Sequence, residues 1–366
     1  MPAKGGSRQL LAYAGRPKPP STTPERPRPM DRHSSILVPE ISPAAQPAGV
    51  SVERISYHGW SDCYLIANGS MEAVIVPAIG RVMQLRLKGE ADGAFWENRA
   101  LDGQLHDAAS NEWTNFGGDK CWPAPQSAWP QHQGRDWPPP VAFGEQPVNA
   151  VAGERGVVLT SPIDPGFGIQ IVRHVELEAG QPILRIRTEY RKLSGAPVTV
   201  GIWTITQMRE PERVCIQIPE ASKFASGYVR LLEAEPADLK INGRLLSLRR
   251  HARQQVKVGT DGSSMAWLGQ SCVVRIDTDI RPGEYPDGGC VTEVYTNPDP
   301  LQYVELETLG PLTAMNPGDR IEQTTAYTVR PRSTTDLEAE ARIAFRGHHK
   351  VRHVREDGRL NGPAAG

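Results

Sequence analysis

The chain has 366 residues and a formal net charge of −1. That length suits one large β-domain with tails, or two ordinary domains. The near-neutral balance gives no field to draw nucleic acid or an anionic membrane, and a mean hydropathy of −0.43 without a long apolar run argues against a transmembrane helix. Neither a nucleic acid nor a membrane is therefore expected as a partner. The only apolar run near the N-terminus, "LLAYA", is too short for a secretory signal, so a cytoplasmic location is expected. Cysteines stand at 63, 121, 215, 272 and 290 with no CxxC pair, which predicts neither a disulfide framework nor a zinc site. Cys121 is expected as a small packing residue.

Residues 1–49 are dense in Pro, Ser, Thr, Arg and Ala and lack apolar periodicity, so a disordered tail is expected there. From Val52 the texture changes. "MEAVIVPAIGRVMQLRLKG" reads as a run, a break, and a half-buried strand with Val82, Gln84 and Arg86 on one side and Met83, Leu85 and Leu87 on the other. Strand-like runs recur with Gly, Pro, Asn or Asp between them: "GVVLTSP", "FGIQIVRHVELE", "PILRIRTEYRKL", "VTVGIWTITQM", "RVCIQIP", "SCVVRIDT", "CVTEVYT", "QYVELETL" and "IEQTTAYTV". Many strands with turn punctuation predict an all-β sandwich or barrel over residues 50–332. Residues 333–366 form a last region, with a short helix expected in "TDLEAEARIAFRG", ended by Gly347. The His348, His349 and His353 that follow lack the spacing of a ligand set and read as a solvated basic tail.

The segment Asn115–Pro140 sets Trp122, Trp129 and Trp137, with Trp113 just upstream, among Pro, Gly and Gln. A core strand would avoid the prolines and a disordered linker the aromatics, so an ordered loop is expected. A sugar can lay its C–H face on an indole while its hydroxyls bond to polar side chains. Asn115, Asp119, Lys120, Gln126 and Gln133 stand among the tryptophans to supply them. The alternative is a Trp-lined cap on one end of a sandwich.

On a strand "YVELETL", Tyr303, Glu305, Glu307 and Leu309 share one face, and Val304 and Leu306 take the core side. Carboxylates two residues apart lie roughly 6.5–7 Å from each other. Unless solvated, one has a raised pKa that suits a general acid or base. An exposed strand with two solvated acids is the other reading. No P-loop, dinucleotide fingerprint, GxSxG or HExxH is present, and neither cofactor nor metal is expected.

In order along the chain, "GRVMQLRLKG" (80–89), "FWEN" (95–98), "NFGGDKCWPAPQ" (115–126), "WPPP" (137–140), "TSPID" (160–164) and "ELETLGP" (305–311) resemble the galactose-mutarotase-like superfamily of aldose 1-epimerases and some glycoside-hydrolase domains. Within it they resemble most an uncharacterised bacterial family. The resemblance covers about residues 52–331. It implies a large antiparallel β-supersandwich with a small-molecule carbohydrate as ligand. It implies epimerase chemistry in which a late Glu takes the anomeric hydroxyl proton and a His protonates the ring oxygen. Glu307 matches that Glu, with Glu305 a close second. The His position falls on Trp203, whose indole N–H donates a hydrogen bond but does not shuttle protons. Lys120, Asp119 and His132 are the acids that the Trp-rich segment offers instead. Arg81, Asn115, Asp119, Trp122, Gln126, Trp129, Trp203 and Gln207 are the expected sugar-binding residues. A sugar-binding module without catalysis, and a glycoside hydrolase or lyase, are the alternatives to an epimerase.

Overall fold

The structure, a computed structural model, describes residues 49–107 and 109–346. The expected N-terminal tail, save Gly49, lies outside these residues, as do Gly347 and the histidine-bearing C-terminal stretch. Two antiparallel sheets pack face to face. The larger has eleven strands, running Ser51–Tyr57, Trp60–Ala67, Met71–Val76, Arg81–Leu87, Asp119–Ala124, Val198–Arg209, Tyr303–Leu309, Thr292–Thr296, Val256–Thr260 and Val229–Arg230, with Thr313–Met315 beside Val198–Arg209. The smaller has ten, from Ala237–Asn242 at one edge to Asn149–Ala152 at the other. All the strand-like runs read from the sequence are strands.

Apolar residues at alternate positions fill the space between the layers. Val294, Val304, Leu306 and Met208 come from the larger sheet, and Val175, Ile186, Val274 and Val329 from the smaller. The helix Leu337–Ala344 lies on the far side of the smaller sheet, packing Ala341, Ala344 and Phe345 on Cys215, Ala266, Leu268 and Val273. Asp336 caps it, accepting from the Glu338 and Ala339 N–H groups. All five cysteines are free and buried. Among the described residues no helix is long and apolar enough to cross a membrane.

Two local expectations are corrected. The Arg81–Leu87 strand is not a simple alternation. Its pairing with Met71–Val76 shifts between Val74↔Gln84 and Ile75↔Val82, so Val82 and Leu85 both enter the core around a bulge at Met83. The Trp-rich segment is not a loop throughout. Asp119–Ala124 is a fully buried strand paired along its length with Val198–Arg209. Pro123 is tolerated because the strand's other side meets Arg81–Leu87 only at Val82↔Asp119. Past that point side chains serve its open carbonyls: Tyr190 Oη donates to Trp122 O at 2.8 Å and Trp129 Nε1 to Pro123 O at 2.7 Å.

Candidate functional site

Register places the chemistry. Paired residues of an antiparallel ladder point to the same face. The pairs Trp122↔Trp203, Lys120↔Ile205, Gln207↔Glu305, Glu307↔Glu293, Glu305↔Tyr295 and Tyr295↔Lys257 therefore line one face of the larger sheet. It is the face turned away from the smaller sheet, because Val294, Val304 and Leu306 alternate with these residues and belong to the core. Tyr303, Glu305, Glu307 and Leu309 share it, as the alternation predicts. The face is not open to water. Glu305 is 8 % exposed, Glu307 1 % and Glu293 0 %. Loops carrying Trp96, Trp113 and Trp137, all half-buried, rim it.

The two carboxylates of the "ELE" stretch have different settings. Glu307 Oε2 accepts the Trp203 indole N–H at 2.6 Å and lies 2.9 Å from Lys257 Nζ. That ammonium also reaches Glu293 at 2.6 Å and sits 4.6 Å over the Trp203 ring. Burial disfavours the Lys257 charge, but Glu293, Glu307 and Asp287 outweigh it and hold its pKa above the ordinary lysine value. Burial pushes Glu293 well above the carboxylate range, against the pull of Lys257. Glu305 has a single, long contact, 3.5 Å to Lys120 Nζ. Burial raises its pKa, with Lys120 opposing and the Glu307 charge adding. Lys120 is fully buried against the faces of Trp122 and Trp113, at 5.0 and 5.6 Å. Burial lowers its pKa to about 8, although Glu305 opposes the shift.

Several expected ligands converge here. Asn115 Nδ2 approaches Tyr303 Oη at 3.4 Å, and Gln207 stands opposite Glu305. Arg81 is buried; its Nε donates to Gly144 O and its Nη1 to Gly117 O, both at 2.7 Å, tying together two loops beside Lys120. Arg81 Nη2, Asn115 Oδ1, Trp113 Nε1 and both amide atoms of Gln207 are buried without hydrogen-bond partners. Native proteins leave few such atoms.

Three expected ligands lie elsewhere. Asp119 faces the smaller sheet, where its carboxylate takes the Arg173 guanidinium, Thr206 Oγ1 at 2.8 Å and Tyr327 Oη at 2.6 Å. Trp129 is wholly buried and packs on Trp122 and Trp137. Gln126 sits in a turn beyond the strand, near the Asp136 carbonyl. Trp122 is on the face, but Trp113, Trp129, Trp137 and Trp203 surround it edge-on. Sequence reasoning missed Lys257, Glu293 and Tyr295. "TEVYT" was read as a strand, so alternation already put Glu293 and Tyr295 on one face; which face needed the partner strand. Lys257 gave no signal of its own. His132 stacks on Phe167 and is not part of this group. Among the described residues no group of His, Cys, Asp and Glu could hold a metal ion.

No family model and no curated protein matches the chain. Solved structures do. One is a "putative aldose 1-epimerase" from Klebsiella pneumoniae subsp. pneumoniae MGH 78578, with 9 % identity and a TM-score of 0.53, over 81 % of this chain and 86 % of that one. Another is a galactose mutarotase-like protein from Lactobacillus casei ATCC 334, with 9 % identity and a TM-score of 0.50, over 73 % and 99 %. The likeness extends over the two-layer antiparallel arrangement of the sheets. The chain shares the fold of these structures, a large two-layer antiparallel β-sandwich.

Proposed function

We propose that the chain binds a carbohydrate on the outer face of its larger sheet and interconverts the sugar's anomers by proton transfer. The observation that carries this reading is the set of unpartnered buried donors and acceptors, Arg81 Nη2, Asn115 Oδ1 and the Gln207 amide, beside the Glu305–Lys120 pair. A sugar hydroxyl both donates and accepts, so it completes such a mixed set where a purely anionic or purely apolar ligand does not. The half-buried Trp96, Trp113 and Trp137 offer faces for its C–H side.

In the reaction a carboxylate takes the anomeric hydroxyl proton, the bond from C1 to the ring oxygen opens as that oxygen is protonated, the carbonyl rotates, and the ring recloses. Glu305 is the better placed acceptor, because Trp203 and Lys257 already engage Glu307. Lys257, 2.9 Å from Glu307 and with 16 % of its side chain exposed, is the proton donor in this reading. Exchange spectroscopy on aldose anomers tests the assignment. Glu305→Gln should slow interconversion by about 10²–10⁴-fold, the range of one general base. Glu307→Gln should cost less. The reverse order would make Glu307 the base.

A second reading, a sugar-binding module without turnover, is favoured by one observation: Trp203 stands where the resemblance places the acid and spends its N–H on Glu307. Sugar-dependent stabilisation of the wild type with no anomer exchange would select it.

A further inference from the structure

We propose that Lys120 is a nucleophile, its amine condensing with the open-chain aldehyde of the bound sugar to give a lysine imine, with Glu305 carrying the protons. The inference rests on the sugar-site reading above and adds a covalent step to it.

Two other lysines, Lys192 and Lys257, show why Lys120 differs. Lys192 donates to the Phe167 and Ser194 carbonyls at 2.7 and 2.6 Å, as a structural ammonium does. Lys257 sits between two carboxylates at 2.6 and 2.9 Å. Lys120 has three donors to satisfy and one polar contact, at 3.5 Å, and indole faces take up two of its sides. A dry aromatic pocket disfavours the ammonium and leaves a reactive amine. With a pKa of about 8, roughly one Lys120 in ten is neutral at pH 7, far more than for a free lysine. Glu305, whose carboxyl burial keeps protonated above the usual range, is the group next to it. Two neighbours of Nζ are themselves partly exposed: Glu305, with 10 % of its side chain exposed, and Trp113, half-buried and with no hydrogen bond from its N–H.

The step balances. The amine lone pair bonds to C1, and the carbonyl electrons move to oxygen, which takes the Glu305 proton. The nitrogen returns one proton to Glu305. The hydroxyl then takes that proton and leaves as water while nitrogen re-forms a double bond to C1. Amine, aldehyde and carboxylic acid become iminium, water and carboxylate, with no change of oxidation state.

The test treats the full chain with D-glyceraldehyde, which cannot close a six-membered ring, and sodium cyanoborohydride, followed by peptide mapping. The expected result is reduced adduct on Lys120 ahead of the exposed Lys223 and Lys240, rising between pH 6 and 9. Lys120→Arg should abolish it, and Glu305→Gln should slow it at least tenfold without unfolding the protein. Adduct on exposed lysines alone overturns the proposal. A parallel thermal-shift series with cyclic aldoses separates the two failures. Stabilisation without a Lys120 adduct removes the imine and keeps the sugar site; neither signal removes both.

Discussion

Asp119 and Lys120 are neighbours in sequence and face opposite sides of one strand, so one carboxylate is a girder and one amine a candidate reactant. Asp119 joins the layers through Arg173 and Tyr327, and Thr206 of its own sheet donates to the same carboxylate. Asp119→Asn should cost about 3–5 kcal/mol, the scale of a broken buried ion pair, read from urea unfolding. A loss below 1 kcal/mol would contradict the girder role. His106 Nδ1 lies 3.2 Å from Glu145, and that hydrogen bond raises its pKa above 6.5 against burial. A raised histidine stabilises fully below its unfolded pKa and loses the contribution as pH rises through the folded one. The melting-temperature gap between wild type and His106→Asn should therefore be widest near pH 5.5 and shrink above 6.5. A gap that grows with pH would reject the ion pair.

The elements were legible where apolar and polar residue types alternate along a strand. "YVELETL" and "VTVGIWTITQM" declared themselves this way, and the Glu305–Glu307 face followed from parity. The Asp119–Ala124 strand was not legible, because "DKCWPA" shows no such alternation and Pro123 argued against pairing. Only the lack of a partner strand along that side explains the proline. The approach to it is tight. A Cβ on Gly117, at φ +97°, would lie 2.3 Å from the Trp96 carbonyl, beside the Glu97↔Gly117 bridge. Gly117→Ala should destabilise by at least about 1 kcal/mol and displace the Trp96 rim, seen as weaker sugar-dependent stabilisation. Trp129→Ala should cost about 3–5 kcal/mol as a core truncation, whatever the ligand. A purely binding defect would return Trp129 to the sugar site.

At the scale of the molecule, the helix Leu337–Ala344 is tied to the sandwich. Glu340 is buried, receives the Ser333 and Thr334 N–H groups and pairs with Arg330, while Phe345 packs on the smaller sheet. A chain ended at residue 332 should lose about 3–5 kcal/mol relative to one ended at 346, from uncovered apolar surface and a stranded Arg330. Equal melting temperatures would make the helix an appendage. From the chain alone, the all-β class, many of the strands and the placing of Glu305 and Glu307 on one face could be read. Those properties follow from a two-residue period that any strand imposes on its side chains. The tertiary structure alone decided which acids and amines meet. Lys257 and Trp203 reach Glu307 from strands far from it in the chain, Glu293 stands across from it on the preceding strand, and Asp119 turns away from Lys120 into the interlayer core. Strand order and register set these meetings, and no local pattern along the chain encodes either.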